Sequence, residues 1–181
     1  MSSYIIFGLG NPGEKYANTR HNAGRIVASE IAKRLADNKK VKFVTPDQKI
    51  MMNTSGKALS GLIKSKKDAS KIIVIHDDLD LPIGKLKISW NRGTGGHRGL
   101  ESILKQIKTT EFIRFRLGIA PVTPSGKTKK PSGEEKVLKH ILGEFKDSEL
   151  KILKNLGKKA SEAVEVIVGE SLQKAMTLFN Q

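Results

Sequence analysis

Residues 4–24 read YIIFGLGNPGEKYANTRHNAG, and this stretch constrains the fold more than any other. It opens on Tyr4, Ile5, Ile6 and Phe7, a run apolar and β-branched enough to be a buried strand. Gly8, Gly10, Pro12 and Gly13 then break the run, which a strand cannot continue through and a tight turn can use. Tyr16, Asn18, Thr19, Arg20, His21 and Asn22 follow, and after them a helical pattern begins. A strand that ends in glycines and delivers a His and two Asn to one sheet edge is how α/β proteins build sites.

Gly8, Gly10 and Gly13 satisfy the G-x-G-x-x-G spacing of dinucleotide sites. Pro12 removes a backbone N–H just where a pyrophosphate needs donors. Residues 14–20 are polar and aperiodic, so no helix starts at the last glycine, and no second strand ends in Asp or Glu at the required distance. A nicotinamide or flavin site is therefore disfavoured. His21 alone is no more than a capping or surface histidine until the chain supplies a partner.

A chain of 181 residues suits one domain with a substantial core. It has no Cys, which removes disulfides, thiolate catalysis and Cys-based zinc, and which fits a reducing cytoplasm. No charged-then-apolar leader precedes the first strand, and no apolar run reaches membrane-spanning length. The formal net charge is +15, with a pI near 10.0. Such an excess attracts polyanions, so nucleic acid is the expected partner. A generally basic proteome is the competing explanation. Aromatic residues make up 5% of the chain, too few for a platform that stacks single strands.

Residues 22–36 carry small or apolar side chains at helical spacing: Gly24, Val27, Ala28, Ile31, Ala32 and Leu35. Residues 41–45 read as a short strand, and 46–52 as an irregular connection. A second helix is predicted over 57–64, with Ser55 as its N-cap, followed by a charged loop over 64–71. Ile72, Ile73, Val74 and Ile75 form the most strand-like run in the chain and predict a central strand. Further strands are predicted over 85–90 and 112–119, with a glycine-rich loop over 91–99 and a helix over 100–107. Residues 122–133 are rich in Pro, Gly, Ser and Lys and read as mobile, a lid or loop region that extends to residue 146 around a short helix over 134–142. Residues 147–181 read as one long C-terminal helix with Asp147 as N-cap, its stripe running from Leu150 through Leu153, Leu156, Ala160, Val164 and Ile167 to Phe179. Strands alternating with helices imply a single α/β domain over 1–181, a twisted mixed sheet with helices on both faces.

Three polar clusters follow three strands: Asn11 with His21, then His76, Asp77 and Asp78, then His97 and Arg98. Such ends converge at one sheet edge. An Asp beside an imidazole fixes its tautomer and makes it the better base, which supplies the partner that His21 needs. The competing interpretation of Asp77, Asp78 and Asp80 is a solvated turn or a metal site; nearby Lys and Arg compete with a metal. His76 and Asp77 are neighbours on a strand, so at most one is expected to enter the site.

At this point the residues resemble a known family. G-L-G-N-P-G-x-x-Y-x-x-T-R-H-N-A-G over 8–24 is similar to the N-terminal motif of bacterial peptidyl-tRNA hydrolases. M-N-x-S-G over 52–56, H-D-D-L-D-L-P-x-G over 76–84, G-G-H-x-G-L over 95–100, R-x-R-L-G-I over 114–119 and I-L-G-x-F ending at Phe145 match the same family in order. The resemblance implies hydrolysis of the ester that joins a peptide to the 3′ end of tRNA, with no metal or cofactor. It implies His21 as the general base and Asp77 as its support. Asn11 matches the position that separates peptidyl-tRNA from free aminoacyl-tRNA. Tyr16, Met51, Asn53 and Arg98 match substrate-contact positions, with Met52 and His97 supporting. Arg116 matches a phosphate-binding position near the acceptor stem.

The chain also departs from the pattern. Arg98 stands where the family usually carries Asn, and Arg donates only, reaches further and stays charged. Ser89 replaces a usual phosphate-binding Lys, which leaves Lys87 and Arg92 as substitutes. Met51 replaces an aromatic, and the stretch before Met52 is shorter than typical. A catalytically silent RNA-binding relative, like those that serve intron splicing, is the alternative function. Retained His21, Asp77, Asn11 and Asn53 argue against it. A small-ester hydrolase lacks the G-x-S-x-G elbow or zinc motif it would need. A cytoplasmic monomer without an obligate protein partner is expected.

Overall fold

The computed structural model describes residues 3–45 and 47–181. Pro46, at the start of the connection read over 46–52, lies outside the described residues. The elements are β1 (Tyr4–Gly8), α1 (Ala23–Arg34), β2 (Val41–Val44), α2 (Lys66–Ala69), β3 (Ile72–Pro82), β4 (Leu86–Trp90), α3 (Arg98–Ile107), β5 (Ile113–Ala120), α4 (Glu134–Leu142), α5 (Asp147–Gly169) and α6 (Leu172–Phe179). Short 3₁₀ helices cover Glu14–Tyr16, Arg20–Asn22 and Met52–Leu59.

The five strands form one sheet in the order β2-β1-β3-β5-β4. All neighbours are parallel except β4, which runs antiparallel to β5. The alternation within β3 decides the two layers. Ile73 and Ile75 join Ile6, Phe115 and Leu117 against α1 and α5. Ile72 and Val74 join Phe7, Phe112, Leu100 and Ile103 on the α3 side. Side chains of period two on a strand buried on both faces produce this split without any polar–apolar alternation.

Gly24 lets α1 begin directly over the sheet. A Cβ there would lie 2.2 Å from the Ile75 carbonyl oxygen and 2.6 Å from that of Leu9. The first turn of α1 therefore rests on β3 at Ile75, and the three residues before it sit over the strand where its polar half begins.

Several expectations are corrected. The predicted helix over 57–64 is instead the 3₁₀ helix Met52–Leu59. Ser55 does not cap it; its hydroxyl donates back to the Met52 carbonyl at 2.8 Å. Tertiary contact overrides propensity here, because Gly56 packs onto α3 and donates to Ser102 Oγ at 2.9 Å. The charged loop contains α2, capped by Ser65 accepting from the Asp68 amide. Strand β3 continues past Ile75 through the polar residues to Pro82, because their backbone pairs with β5. The long C-terminal helix breaks at Glu170, and Ser171 caps a separate α6. Lys146, not Asp147, is the N-cap of α5.

Candidate active site

His21 sits on the 3₁₀ turn Arg20–Asn22, which overhangs β3, and it is 7% exposed. Its Nδ1 lies 3.0 Å from both carboxylate oxygens of Asp77. A carboxylate only accepts, so Nδ1 carries a proton, and Nε2 is the nitrogen that serves as acceptor in the neutral ring. His97, the N-cap of α3, approaches the same Asp77 oxygen through Nε2, also at 3.0 Å. Its Nδ1 accepts from the Gly99 and Leu100 amides at 3.1 and 3.4 Å. Both tautomers are thereby assigned from the hydrogen bonds. Burial alone would raise the Asp77 carboxyl pKa; the two imidazoles outweigh it and hold the group well below the usual carboxylate range.

At most one residue of the pair His76 and Asp77 was expected to enter the site, and both border it. The cavity wraps the end of β3, so opposite faces reach it. Asp77 takes the hydrogen bonds of His21 and His97. His76 packs edge-on against His97, with ring centroids 5.1 Å apart, and donates from Nδ1 to the Asp77 carbonyl at 2.7 Å. Burial, and then the neighbouring His97, push the His76 pKa down to about 3, so the ring is neutral.

Asn11 is oriented from three directions. Its amide donates to Asn22 Oδ1 at 2.8 Å, and Asn22 Nδ2 returns a bond to the Asn11 carbonyl at 2.9 Å. Its Oδ1 accepts from the Met52 amide at 2.8 Å. That assignment leaves Asn11 Nδ2 to face a ligand. Asn22, an Asn of the N-terminal motif with no role assigned from sequence, is a positioning residue.

These groups line a cavity of about 690 Å³. Asn11, His21, Asp77 and His97 share it with Met51, Met52, Asn53 and Arg98. Its other wall is α4, which contributes Val137, Leu138, Ile141 and Leu142. The sequence signal for that wall was present as two i,i+4 apolar pairs on a short helix. Arg98, 66% exposed, reaches across to Glu134 at 3.7 Å. Tyr16 is not part of the lining; the Lys15 ammonium sits 4.9 Å from its ring centre.

The three expected phosphate contacts are also outside the cavity, on the β4–β5 side. Lys87 and Arg116 are cross-strand partners, as are Ser89 and Arg114. Arg116 donates to Asp78 at 2.6 Å. Arg114 is buried and donates to the carbonyls of Arg92 and Gly93, so it ties the glycine-rich loop to β5. Burial, with Arg116 and Arg92 nearby, lowers its pKa to about 10.

The nitrogen and oxygen atoms of His21, Asp77 and His97 lie within 4.8 Å of one another, a spacing that also suits a metal. The donor set does not fit one. His97 Nδ1 is engaged by two amide N–H groups, so Nε2 holds the proton that a metal would have to replace. The arrangement is a hydrogen-bonded relay in which one carboxylate accepts from two imidazoles and orients both.

Fold and site together define a hydrolytic α/β protein built on a His–Asp pair between the turn before α1 and the central strand β3. The family model described as peptidyl-tRNA hydrolase matches residues 5–181, and the chain belongs to that family. A peptidyl-tRNA hydrolase of a Hydrogenobaculum species is 39% identical over 189 residues, covering 97% of this chain and 96% of that protein. One from a Thermoanaerobacter species is 38% identical over 193 residues, covering 98% and 99%. Among solved structures, a peptidyl-tRNA hydrolase in complex with N-propanol superposes with a TM-score of 0.83 at 28% identity, covering 98% of this chain and 94% of that one. The enzyme from Acinetobacter baumannii superposes with a TM-score of 0.79, also at 28% identity and with the same coverage of both chains.

Proposed function

We propose that this chain hydrolyses the ester of peptidyl-tRNA, with His21 as general base. His21 Nε2 takes a proton from water while the water oxygen attacks the ester carbonyl carbon. The tetrahedral intermediate expels the ribose oxygen, which takes the proton back from the imidazolium. The products are a free peptide carboxylic acid and a tRNA with its 3′ hydroxyl restored. The ribose oxygen is a good enough leaving group that no covalent nucleophile is required. Transfer by a positioned His contributes roughly 10²–10⁴-fold. Asn53 is the donor for the oxyanion, a role worth roughly 10²–10³-fold.

The observation that carries the proposal is the buried Nδ1–H of His21 on Asp77, which leaves Nε2 as the acceptor beside the cavity. Asn11, with its oxygen already used, offers Nδ2 to the first peptide carbonyl, a group that a free aminoacyl ester lacks. Arg98 donates at the mouth, and Met51 and Met52 pack against the substrate. Lys87, Arg92 and Arg116 hold acceptor-stem phosphates, and Tyr16 meets the tRNA outside the cavity. The protein acts as a cytoplasmic monomer in translation. No helix of the described residues is long and apolar enough to cross a membrane.

Purified protein mixed with N-acetylaminoacyl-tRNA and with the free aminoacyl-tRNA tests the proposal. The blocked ester is expected to be cleaved and the free one spared. An intact blocked ester, under conditions where an active relative cleaves it, would leave the RNA-binding alternative.

A further inference from the structure

The turn that carries His21 is restrained on two sides. Asp77 holds the ring. The other side is held by a strap, residues 143–149, that joins α4 to α5. The Arg20 amide donates to the Gly143 carbonyl at 3.0 Å, and the Phe145 amide donates to the Asn18 carbonyl at 2.8 Å. Thr19 and Glu144 form an antiparallel bridge between those bonds. The Arg20 guanidinium lies 5.5 Å from the Phe145 ring centre. Its Nη2 donates to Glu149 Oε2 at 3.0 Å, with the two side chains only 14% and 21% exposed. The same oxygen accepts the Lys146 amide at 2.8 Å and so caps α5.

We infer that Glu149 is a positioning residue for the reaction: it holds Arg20, and through it the backbone that presents His21. Asp77 fixes which nitrogen of His21 carries the proton, but a carboxylate at 3.0 Å does not fix where the turn sits. The strap supplies that second restraint from a residue 129 positions away. Glu149 joins the cavity wall to the base as well, because α4 and α5 flank the strap it anchors. A displacement of about 1 Å at a reacting group can cost up to about 100-fold.

This inference rests on the proposed role of His21, so the test includes a readout that does not need turnover. Glu149→Gln keeps an oxygen for the Lys146 amide and removes the charge that holds Arg20. Arg20→Gln removes the other partner. Each is expected to lower kcat about tenfold with KM within about twofold, and the double variant to fall no further, because contacting partners are not additive. Arg20→Lys, which keeps the charge, is expected to retain more kcat than Arg20→Gln. Assays run well below each variant's Tm, with circular dichroism confirming the fold. In proton NMR, the low-field Nδ1–H signal of His21 is expected to broaden in Glu149→Gln. Folded variants with wild-type kcat and an unchanged signal overturn the inference, as does a kcat loss that only tracks the unfolded fraction. A wild type with no turnover at all sinks the hydrolase proposal, while the NMR signal still decides the clamp.

Discussion

His21 and His97 share Asp77: each imidazole places an N–H nitrogen 3.0 Å from the same carboxylate oxygen. The two rings lie 5.0 Å apart and tilted by 40°. The carboxylate thereby ties the turn before α1 to the start of α3.

Replacing the base should separate chemistry from binding. His21→Ala is expected to lose roughly 10²–10⁴-fold in turnover while tRNA binding persists. Asp77→Asn keeps the shape but offers one oxygen to two N–H donors, so turnover falls as well. Filter binding beside a hydrolysis assay reads both. Loss of binding in His21→Ala would count against its role in the chemistry.

Acid should weaken the fold through two groups with different windows. The His76 pKa is lowered from 6.5 to about 3, so the unfolded chain takes the proton first. Its contribution is complete above about pH 6.5 and declines steadily down to about pH 3. Asp77 is depressed below the ordinary carboxylate range, so its contribution is present above that range and is lost only at lower pH. His76→Phe is therefore expected to flatten the urea midpoint between pH 7 and pH 4. An equal decline in the variant and the wild type would refute this.

Salt should weaken tRNA binding steeply, since each phosphate contact contributes to the slope. Lys87→Gln is expected to reduce the slope by about 1 and leave stability alone. Arg116→Gln behaves differently. Asp78 would lose its partner in a site where both side chains are nearly buried, at 13% and 12% exposure. Stability is expected to fall by about 1–3 kcal/mol in addition to the reduced slope. Denaturant melts beside salt titrations distinguish the two variants.

Arg98→Asn tests the departure at the cavity mouth. The Arg98–Glu134 pair is loose and exposed, so the unfolding free energy should hold to within about 1 kcal/mol. KM is expected to rise if the guanidinium holds substrate, and an unchanged KM would remove Arg98 from the binding set.

Gly24→Ala puts a methyl 2.2 Å from the Ile75 carbonyl oxygen, which is backbone and cannot yield cheaply. A loss of roughly 1–3 kcal/mol in denaturant unfolding is expected from such overpacking.

The strands were legible because their side chains are plain. Ile72 through Ile75 are apolar on both faces, a pattern that only a central strand of a two-layered sheet explains. The same chemistry hid the end of β3. His76 through Asp78 look like a polar loop, and pairing with β5 keeps them extended. The 3₁₀ helix at Met52 was missed for a similar reason, because its geometry is set by Asn11 and Ser102 from other elements.

Residue type and local order by themselves determined that the chain holds a parallel core, a glycine break before His21, and clusters of His and Asp directly after its strand-like runs. Those properties are local: they follow from volume, branching and hydrogen-bonding capacity along a few successive residues. Three-dimensional packing alone decided that Asp77 serves two histidines, that α4 walls the cavity, and that Glu149 reaches Arg20. Each of those contacts joins residues far apart in the chain. Their geometry depends on where helices land on a twisted sheet, which no short stretch of sequence encodes.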